Sequence, residues 1–370
     1  MIIALLRKIS RKIAVKTLAK ALPGVRFRGG AWGEAESIII FLLERSTRRP
    51  IRSPGQGLPC LNRCSFPRFG VGWSDSVSGA RFSYRIVKLA NGSHSLHSLA
   101  EAETFHPVVG PTVEAETLYV RQLRLPERAG QVQGEFVIWD VGLGAAANPI
   151  TFLRAASNVR AQIRVVSFDH TLEPLRFALQ HTEHLPYLQG FEAPLGNLVA
   201  NGRTSFAYGS LEIDWTVHVA DFPSLLADPV AGAWPKPHAV MYDAFSPAKN
   251  PAMWTQPVFA GLQRLLDPTR PCAMPTYSRS TMLRVTLLLA GFYVGVGHAT
   301  GEKEETTISA NTLDLLTQPL DRRWLQRAQR SHSAEPLWEP VYRQAPLSAG
   351  SRERLHAHPQ FAGIAVASAQ

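Results

Sequence analysis

One loop concentrates residue types that could bind and align a polar substrate. The apolar run 239–242 is followed by Asp243-Ala-Phe-Ser-Pro-Ala-Lys-Asn-Pro-Ala-Met-Trp254, which combines an acid, a lysine, an amide and two aromatic rings. In open α/β sheets, ligands bind at the carboxyl ends of the strands, which is where this loop would lie. A connection that merely starts a helix at Asn250-Pro251 would explain the prolines and the asparagine, but not the remaining residues.

A second segment is typical of a turn that approaches a nucleotide. Asp140-Val-Gly-Leu-Gly-Ala-Ala-Ala-Asn148 directly follows the apolar run 136–139. Glycine at 142 permits a tight strand-to-helix turn, and glycine at 144 allows close approach of the backbone to a ligand. Asp169 ends the next apolar run, where it could hold ribose hydroxyls. A nicotinamide enzyme, an adenosylmethionine enzyme and a purely structural turn all fit this segment taken alone.

The elements that must position these loops alternate between strand and helix. Strands are predicted at 136–140, 165–169, 215–219 and 239–243, and helices at 251–266 and 281–290. Gly291 closes the second helix. Alternation of this kind predicts an α/β fold, with a doubly wound, mostly parallel sheet covered on both faces.

Elements at the two ends of this region depart from the alternation. The run 82–89 and a return strand through Leu96 and Leu99 flank Asn91-Gly92, a hairpin signal. A helix is predicted at 112–125. Strands at 292–298 and 306–310 are too close for a crossover helix, so they should form a C-terminal antiparallel hairpin.

Composition excludes several classes of protein. The chain has 370 residues, 45% of them hydrophobic and 18% charged, values of a globular rather than a disordered protein. Three cysteines cannot form a disulfide framework, and they point to a reducing compartment or to thiols without a role. No apolar run reaches the 18 or so residues of a membrane span, because the longest, 283–297, contains Arg284 and Gly291. We therefore expect a soluble, cytoplasmic protein.

The net charge of +10 comes from the first fifth of the chain. Residues 1–70 hold 14 of the 39 Lys and Arg residues but three of the 29 acids, so residues 71–370 carry a net charge of −1. We interpret 1–70 as a basic extension without a stable fold. An organelle presequence, a membrane-surface helix and a basic tail are alternatives. Cys60 and Cys64 lack a second pair nearby, so no metal site is expected.

The loop that begins at Asp243 closely resembles the Asp-Gly-Phe-Ala-Pro-Ala-Lys-Asn-Pro-x-Met-Trp signature of the MnmC-like methyltransferases. The segment Ala115-Glu-Thr-Leu-Tyr-Val120 and the turn 142–148 are similar to further motifs of this family. The similarity extends over residues 82–330. It implies a fold of the Rossmann-like methyltransferase type and a division of the chain into four parts. These are the extension 1–70, an N-terminal β/α extension at 71–130, the methyltransferase domain at 131–320 and a C-terminal tail at 321–370.

The resemblance also implies a cofactor, a reaction and a set of site residues. S-adenosylmethionine would be bound by Asp140, Gly142, Gly144, Asn148, Asp169 and Asp221, with Asp169 on the ribose and Asp221 on the adenine side. Asp243 would be catalytic, orienting the amine or accepting its proton. The substrate, an aminomethyl group on the wobble uridine of a tRNA, would be bound by Phe245, Pro247, Lys249, Asn250, Trp254 and Tyr277. Phe245 and Trp254 could stack on a base or simply belong to the core.

Departures from the family pattern keep other functions open. Ala146 and Ala244 stand where the family has glycine, and nothing after Arg330 resembles the dinucleotide-binding turn of the family's FAD-dependent oxidase half. The resemblance therefore implies methylation only. Residues 71–370 have a near-neutral net charge, whereas tRNA binding usually draws on phosphate contacts from many Lys and Arg residues. A small-molecule amine N-methyltransferase and a non-catalytic relative of the fold are therefore alternatives.

Overall fold

The computed structural model describes residues 83–301 and 303–362, so the extension 1–70 lies outside the described residues. The described part begins with a three-stranded antiparallel sheet of β1 (Tyr84–Lys88), β2 (His94–Ser98) and β3 (Glu103–Thr104). Asn91 fixes the predicted turn between β1 and β2, because its Oδ1 accepts a hydrogen bond from Ser93 N at 3.1 Å. The hairpin signal in the sequence is confirmed.

An eight-stranded sheet follows. Its strands are β4 (Glu135–Val141), β5 (Ala161–Asp169), β6 (Arg203–Tyr208), β7 (Leu211–Val219), β8 (Ala239–Tyr242), β9 (Ala273–Thr276), β10 (Tyr293–Gly297) and β11 (Thr306–Ala310). The spatial order is β10-β11-β9-β8-β4-β5-β7-β6, and β9, β8, β4, β5 and β7 are mutually parallel. β6 pairs antiparallel with β7, and β11 pairs antiparallel with both β9 and β10. The predicted α/β fold, with a mostly parallel sheet and a C-terminal hairpin, is confirmed.

Helices cover both faces of this sheet. They are α1 (Pro111–Ala115), α2 (Leu125–Gln131), α3 (Ala147–Ala155), α4 (Glu173–Leu179), α5 (Glu192–Asn201), α6 (Phe222–Ala227), α7 (Gln256–Leu265), α8 (Thr281–Leu289), α9 (Arg322–Arg330), α10 (Ala349–His356) and α11 (Pro359–Ala362). The helix predicted at 112–125 is instead α1, a π-helical segment Glu116–Arg121 and a break at Arg124, whose φ is +51°. The helix predicted at 251–266 is a 3-10 turn Pro251–Trp254 and α7, separated by the extended residue Thr255.

Two apolar layers pack against the large sheet, one on each face. Ile138 and Val165 belong to one layer, and Trp139 and Val166, their neighbours in sequence, to the other. Strands buried on both faces read as continuous apolar runs, which explains the pattern in β4, β5 and β8. Trp324 of α9 and Leu355 of α10 are buried in the second layer. We therefore propose that the domain includes residues 321–362, which we expected to form a tail.

No helix in the described ranges combines the length and the apolar character that crossing a bilayer needs.

Cys272 is buried in the second apolar layer, as a small hydrophobic residue would be. Burial raises the pKa of its thiol to about 12, so it stays protonated at neutral pH.

Candidate active site

A cavity of about 630 Å³ opens at the carboxyl edge of the parallel strands. Val141 of β4 lies opposite Phe168 of β5 and Tyr242 of β8 in the register of the sheet. The residues that follow these three, Gly142, Asp169 and Asp243, therefore meet at one edge, and all three line the cavity. The parallel register thus brings together two loops that are a hundred residues apart in sequence.

The glycine turn after β4 is shaped by close contacts with two other segments. Gly142 has a φ of +92°, and a Cβ at this position would lie 2.5 Å from Asp243 O. Gly144 has a φ of +52°, and a Cβ there would lie 3.1 Å from the Phe105 ring. Any side chain at Gly142 would push away the loop that begins at Asp243. The turn therefore needs glycine at 142 to keep Asp243 beside it.

Asp169 ties the end of β5 to this turn. Its Oδ2 accepts a hydrogen bond from Gly144 N at 2.9 Å, and its Oδ1 accepts one from Thr171 N at 3.2 Å. His170 Nδ1 lies 3.1 Å from Oδ1, and hydrogen bonding to Asp169 raises the pKa of this histidine. The Asp169 side chain is 10% exposed and lines the cavity. Because each carboxylate oxygen has two lone pairs, Asp169 can still accept from a ligand hydroxyl.

Two buried oxygens near the turn lack a hydrogen-bond partner among the described residues. They are Asp140 Oδ1 and Asn148 Oδ1. Asp140 is fully buried beneath the turn, with Oδ2 accepting from Ser167 Oγ at 2.8 Å, whereas Asn148 lines the cavity. Burial raises the pKa of Asp140 to about 7 despite the hydrogen bond from Ser167. Unpaired buried acceptors are rare in native folds, so the free Oδ1 of Asn148, which lines the cavity, points to a ligand that donates a hydrogen bond there.

Asp243 is held in a cluster of acid–base groups. Its Oδ2 accepts a hydrogen bond from Asn148 Nδ2 at 2.9 Å and lies 3.6 Å from His106 Nε2. On its other side, His106 Nδ1 lies 4.0 Å from Glu114 Oε2. The side chains of His106, Glu114 and Asp243 are 10%, 12% and 15% exposed. The imidazole thus bridges two carboxylates at the rim of the cavity.

The charge balance of this cluster favours a cationic or proton-donating ligand. Burial raises the pKa of Glu114, the charges of His106 and Lys303 oppose that shift, and Asp243 adds to it. Lys303 Nζ lies 4.6 Å from the centre of the Tyr277 ring and donates to Tyr277 O at 3.0 Å. Burial lowers the pKa of Lys303. No group of three or more His, Cys, Asp and Glu side chains suited to a metal ion occurs in the described ranges.

The residues predicted to bind substrate separate into two groups. Phe245, Lys249, Asn250 and Tyr277 line the cavity, whereas Pro247 and Trp254 do not. Trp254 is 1% exposed, and its Nε1 donates to Phe245 O at 2.7 Å. The ring therefore belongs to the core and stabilises the loop through this hydrogen bond. This corrects the expectation that Trp254 contacts the substrate.

Of the predicted cofactor residues, Gly142, Gly144, Asn148, Asp169 and Asp221 line the cavity. Asp221 also caps α6, because its Oδ2 accepts from Ser224 N at 3.1 Å. Its place after β7 keeps it at the same edge as Asp169. Asp140, in contrast, lies below the cavity and can act on a ligand only through the turn above it.

Several lining residues were not predicted as site residues, among them Glu103, Phe105, His106, Glu114 and Lys303. Phe105 packs edge-to-face on Phe245, with ring centres 5.3 Å apart. Ser246 Oγ donates to Glu103 Oε2 at 3.4 Å. These contacts close the cavity with the segment between β2 and α1. One local signal was available: the acids and the histidine at 101–106 stand in a stretch without apolar periodicity.

Comparison with known proteins identifies the class of this domain. Residues 196–312 match the family described as S-adenosyl-L-methionine-dependent methyltransferase. The tRNA 5-methylaminomethyl-2-thiouridine biosynthesis bifunctional protein MnmC of Aeromonas hydrophila is 31% identical over 211 residues, which cover 52% of this chain and 30% of the relative. MnmC of Methylibium petroleiphilum is 27% identical over 215 residues, covering 57% of this chain and 32% of the relative. The chain thus spans less than a third of the length of these curated relatives.

A solved structure supports the same fold. The crystal structure of MNMC2 from Aquifex aeolicus superposes with a TM-score of 0.51 at 21% identity, covering 75% of this chain and 84% of that one. Together with the family match and the MnmC relatives, this confirms the resemblance seen in the signature loop. The chain carries an MnmC-like methyltransferase domain, and its cofactor is S-adenosyl-L-methionine.

Proposed function

We propose that this domain methylates the amine nitrogen of an aminomethyl group on a modified wobble uridine of tRNA. The observation that carries the proposal is the placement of Asp243, which Asn148 holds in the same cavity as the glycine turn and Asp169. The name of the MnmC relatives, which refers to biosynthesis of tRNA 5-methylaminomethyl-2-thiouridine, supports this choice of acceptor. The acidic wall of the cavity suits an amine.

The residues at the turn fit the methyl donor. S-adenosyl-L-methionine carries an ammonium group at its amino-acid end and hydroxyls on its ribose, and all of these donate hydrogen bonds. Asn148, whose Oδ1 has no partner among the described residues, would hold the amino-acid end, and Asp169 the ribose. Asp221 would lie on the adenine side. When bound, the cofactor supplies a methyl group already activated on a sulfonium.

Because the donor is activated, the protein must mainly align the amine and manage its protons. A cationic amine entering the cavity is attracted by Asp243 and Glu114. The nitrogen needs a free lone pair to react, and His106, between the two carboxylates, can take a proton from the ammonium. As the nitrogen gains its methyl group, the surplus N–H proton passes to Asp243 Oδ2. Proton transfer of this kind is worth about 10²- to 10⁴-fold in rate.

A small soluble amine is the second candidate acceptor. Residues 71–370 carry a net charge of −1, whereas proteins that bind RNA usually neutralise phosphates with many Lys and Arg residues. An enzyme of this second kind would methylate its amine without RNA. The cavity itself fits both acceptors, since both present an amine.

Mass spectrometry of nucleosides from total tRNA tests the proposal. In cells that lack this gene, we expect the methylaminomethyl form of the wobble uridine to fall and its aminomethyl precursor to accumulate. Complementation with the wild-type gene should restore the methylated nucleoside, and complementation with an Asp243→Asn variant should not. An unchanged nucleoside profile, with turnover of a soluble amine by the purified protein, would favour the second candidate.

A further inference from the structure

A second cavity, of about 420 Å³, lies beside the first and is rich in arginine. It is bounded by α8, α9 and the segment that leads into β11. Arg284 of α8 forms its floor, and Arg279 and Arg327 stand at its exposed rim. Two acids, Glu305 and Asp321, also line it. Three guanidinium groups around one cavity favour an anionic ligand.

Arg284 is rigidly placed. It is 4% exposed, its Nε donates to Thr307 Oγ1 at 3.0 Å, and its Nη2 donates to Thr306 O at 2.8 Å. Glu305 Oε1 lies 3.1 Å from the same Nη2. Burial lowers the pKa of Arg284, Glu305 opposes the shift, and the charges of Arg327 and Arg279 add to it. All three guanidinium groups therefore interact electrostatically.

The two arginines at the rim lack a protein partner. Neither Arg279 nor Arg327 forms an ion pair or a side-chain hydrogen bond with a residue in 83–301 or 303–362. Asp321 is already engaged, because its Oδ1 accepts from Trp324 N at 2.8 Å and so caps α9. Glu305 compensates Arg284. The rim therefore carries two positive charges that no acid in the described ranges pairs with.

The arginines of α9 add an unfavourable charge pattern that a ligand would relieve. Arg323, Arg327 and Arg330 are exposed at spacings of four and three residues, while Trp324 is buried. Like charges at such spacings destabilise a helix by a few tenths of a kcal/mol each, on the order of 0.2–0.5. An anion bound at Arg327 would offset this repulsion.

The two cavities are lined by neighbouring residues of the same two segments of the chain. Tyr277 and Lys303 line the first, and Arg279 and Glu305, each two residues further along the chain, line the second. Two residues span at most about 7 Å of extended backbone. The charge of Arg279 also lowers the pKa of Lys303, after the larger effect of burial. A ligand that occupies both cavities would therefore be a polymer that places one group in each cavity.

We propose that the second cavity binds a backbone phosphate of the RNA whose modified base enters the first. Arg279 and Arg327 would contact the phosphate oxygens, and Arg284 would hold the floor of the site. Guanidinium groups match phosphate geometry and bind it with charge-assisted hydrogen bonds. The inference rests on the proposed function, and it names how an RNA would be recognised by a domain of near-neutral net charge.

Binding of an anticodon stem-loop RNA that carries 5-aminomethyl-2-thiouridine at the wobble position tests the proposal. Its dissociation constant is measured against salt concentration for wild type, for Arg279→Gln/Arg327→Gln and for the control Arg203→Gln. Arg203 is exposed on β6, at the opposite edge of the large sheet. Since Arg279 and Arg327 are exposed and unpaired within the described ranges, their replacement should not disturb folding, which calorimetric binding of S-adenosyl-L-methionine verifies.

The double variant should bind the RNA about tenfold more weakly at low salt, the effect of losing about one charged hydrogen bond. Its salt slope should be smaller than that of wild type by about 0.7, the value for one phosphate of a single strand. The control should match wild type. Wild-type affinity and slope in the double variant would overturn the phosphate site and leave the proposed function standing.

Two further outcomes separate the proposals. A wild-type protein that fails to bind or methylate the RNA would overturn the tRNA assignment and the phosphate site together. Titration with inorganic phosphate forms the other arm. If the double variant loses affinity for inorganic phosphate but not for the RNA, the cavity takes a free anion and the RNA backbone is not its ligand.

Discussion

The carboxylate of Asp169 has two functions: it stabilises the glycine turn and, in our proposal, binds the ribose of the cofactor. It accepts from Gly144 N and Thr171 N, and it lines the cavity at the end of β5. Its replacement must therefore be compared with a variant that keeps one of these functions. Asn at this position retains an oxygen for Gly144 N but removes the negative charge.

We predict that Asp169→Ala weakens binding of S-adenosyl-L-methionine by about 1.5–3 kcal/mol, the usual range for a hydrogen bond to a charged group. Asp169→Asn should lie between this variant and wild type. Calorimetry measures the affinity, and thermal unfolding separates it from loss of stability. Wild-type affinity in both variants would show that Asp169 does not hold the ribose, and tight binding of NADH instead would restore the dehydrogenase hypothesis.

Asp140 predicts a pH dependence of stability. Its pKa is raised from 3.8 to about 7 by burial, so its contribution to stability is fully present below pH 3.8 and is lost as the pH rises through 7. Asp140→Asn removes this titration. Between pH 4 and 7 the free energy of unfolding of wild type should therefore fall relative to the variant, by at most about 1.4 kcal/mol per pH unit.

Chemical denaturation of both proteins at pH 4, 5, 6 and 7 checks this prediction. The difference between the two curves isolates Asp140 from other titrating groups, and any change in the hydrogen bond to Ser167 adds an offset that does not depend on pH. Parallel stability curves over this range would contradict a raised pKa for Asp140.

At the residue scale, sequence reasoning placed the residues that end strands and missed those that close the cavity. Asp169 and Asp243 were predictable because parallel strands end at one edge and the residue after a strand must lie there. His106 comes from the segment between β2 and α1, and Glu114 comes from α1. The position of this part of the chain is decided by packing such as that of Phe105 on Phe245. Local periodicity carries no information on such contacts.

At the scale of elements, the start of α3 shows how the chain accommodates a departure from the family pattern. Ala146 is the N-cap of α3 and adopts a left-handed conformation, with φ of +61°. Its side chain is fully buried. The left-handed conformation costs a non-glycine residue about 1–2 kcal/mol. Burial of the methyl group and a less flexible unfolded chain offset this by about 0.8 and 0.4–1 kcal/mol.

Because these terms nearly cancel, Ala146→Gly should change the free energy of unfolding by less than about 1 kcal/mol and leave cofactor affinity unaltered. Ala146→Val, which places a β-branched residue at positive φ, should destabilise by about 2 kcal/mol or more. Denaturant unfolding measures the first quantity and calorimetry the second. A tenfold gain in cofactor affinity in Ala146→Gly would mean that alanine impairs the turn.

Elements with strong periodicity or a continuous apolar run were predicted well, whereas the edge strand β6 was not. The stretches 136–139 of β4, 165–168 of β5 and 239–242 of β8 are buried and almost entirely apolar. β6, in contrast, is an edge strand with exposed Arg203, Ser205 and Ala207 alternating with less exposed residues, and it was missed. The π-helical segment Glu116–Arg121 lies where the sequence predicts an ordinary helix. Its Tyr119 donates a hydrogen bond from Oη to Tyr242 O, a tertiary contact that local periodicity does not reveal.

At the scale of the whole molecule, the charge asymmetry suggests that residues 1–70 are an addition to the domain. We predict that a protein lacking residues 1–70 keeps the wild-type affinity for S-adenosyl-L-methionine, because the part of the chain that the structure describes already supplies a complete set of the predicted cofactor residues. Circular dichroism and calorimetry of the shortened protein check this. Loss of folding would show that the basic segment contributes to the core.

In our proposal, methyl transfer depends on Asp243 as its acid–base residue. Turnover of the aminomethyl-modified stem-loop RNA by wild type and Asp243→Asn, with saturating cofactor, tests it most directly. Asparagine keeps the shape and the contact with Asn148 but cannot take the proton, so the rate should fall about 10²- to 10⁴-fold with little change in cofactor affinity. If Asp243 merely anchors its loop, asparagine would serve as well, and a near-wild-type rate would contradict the catalytic assignment.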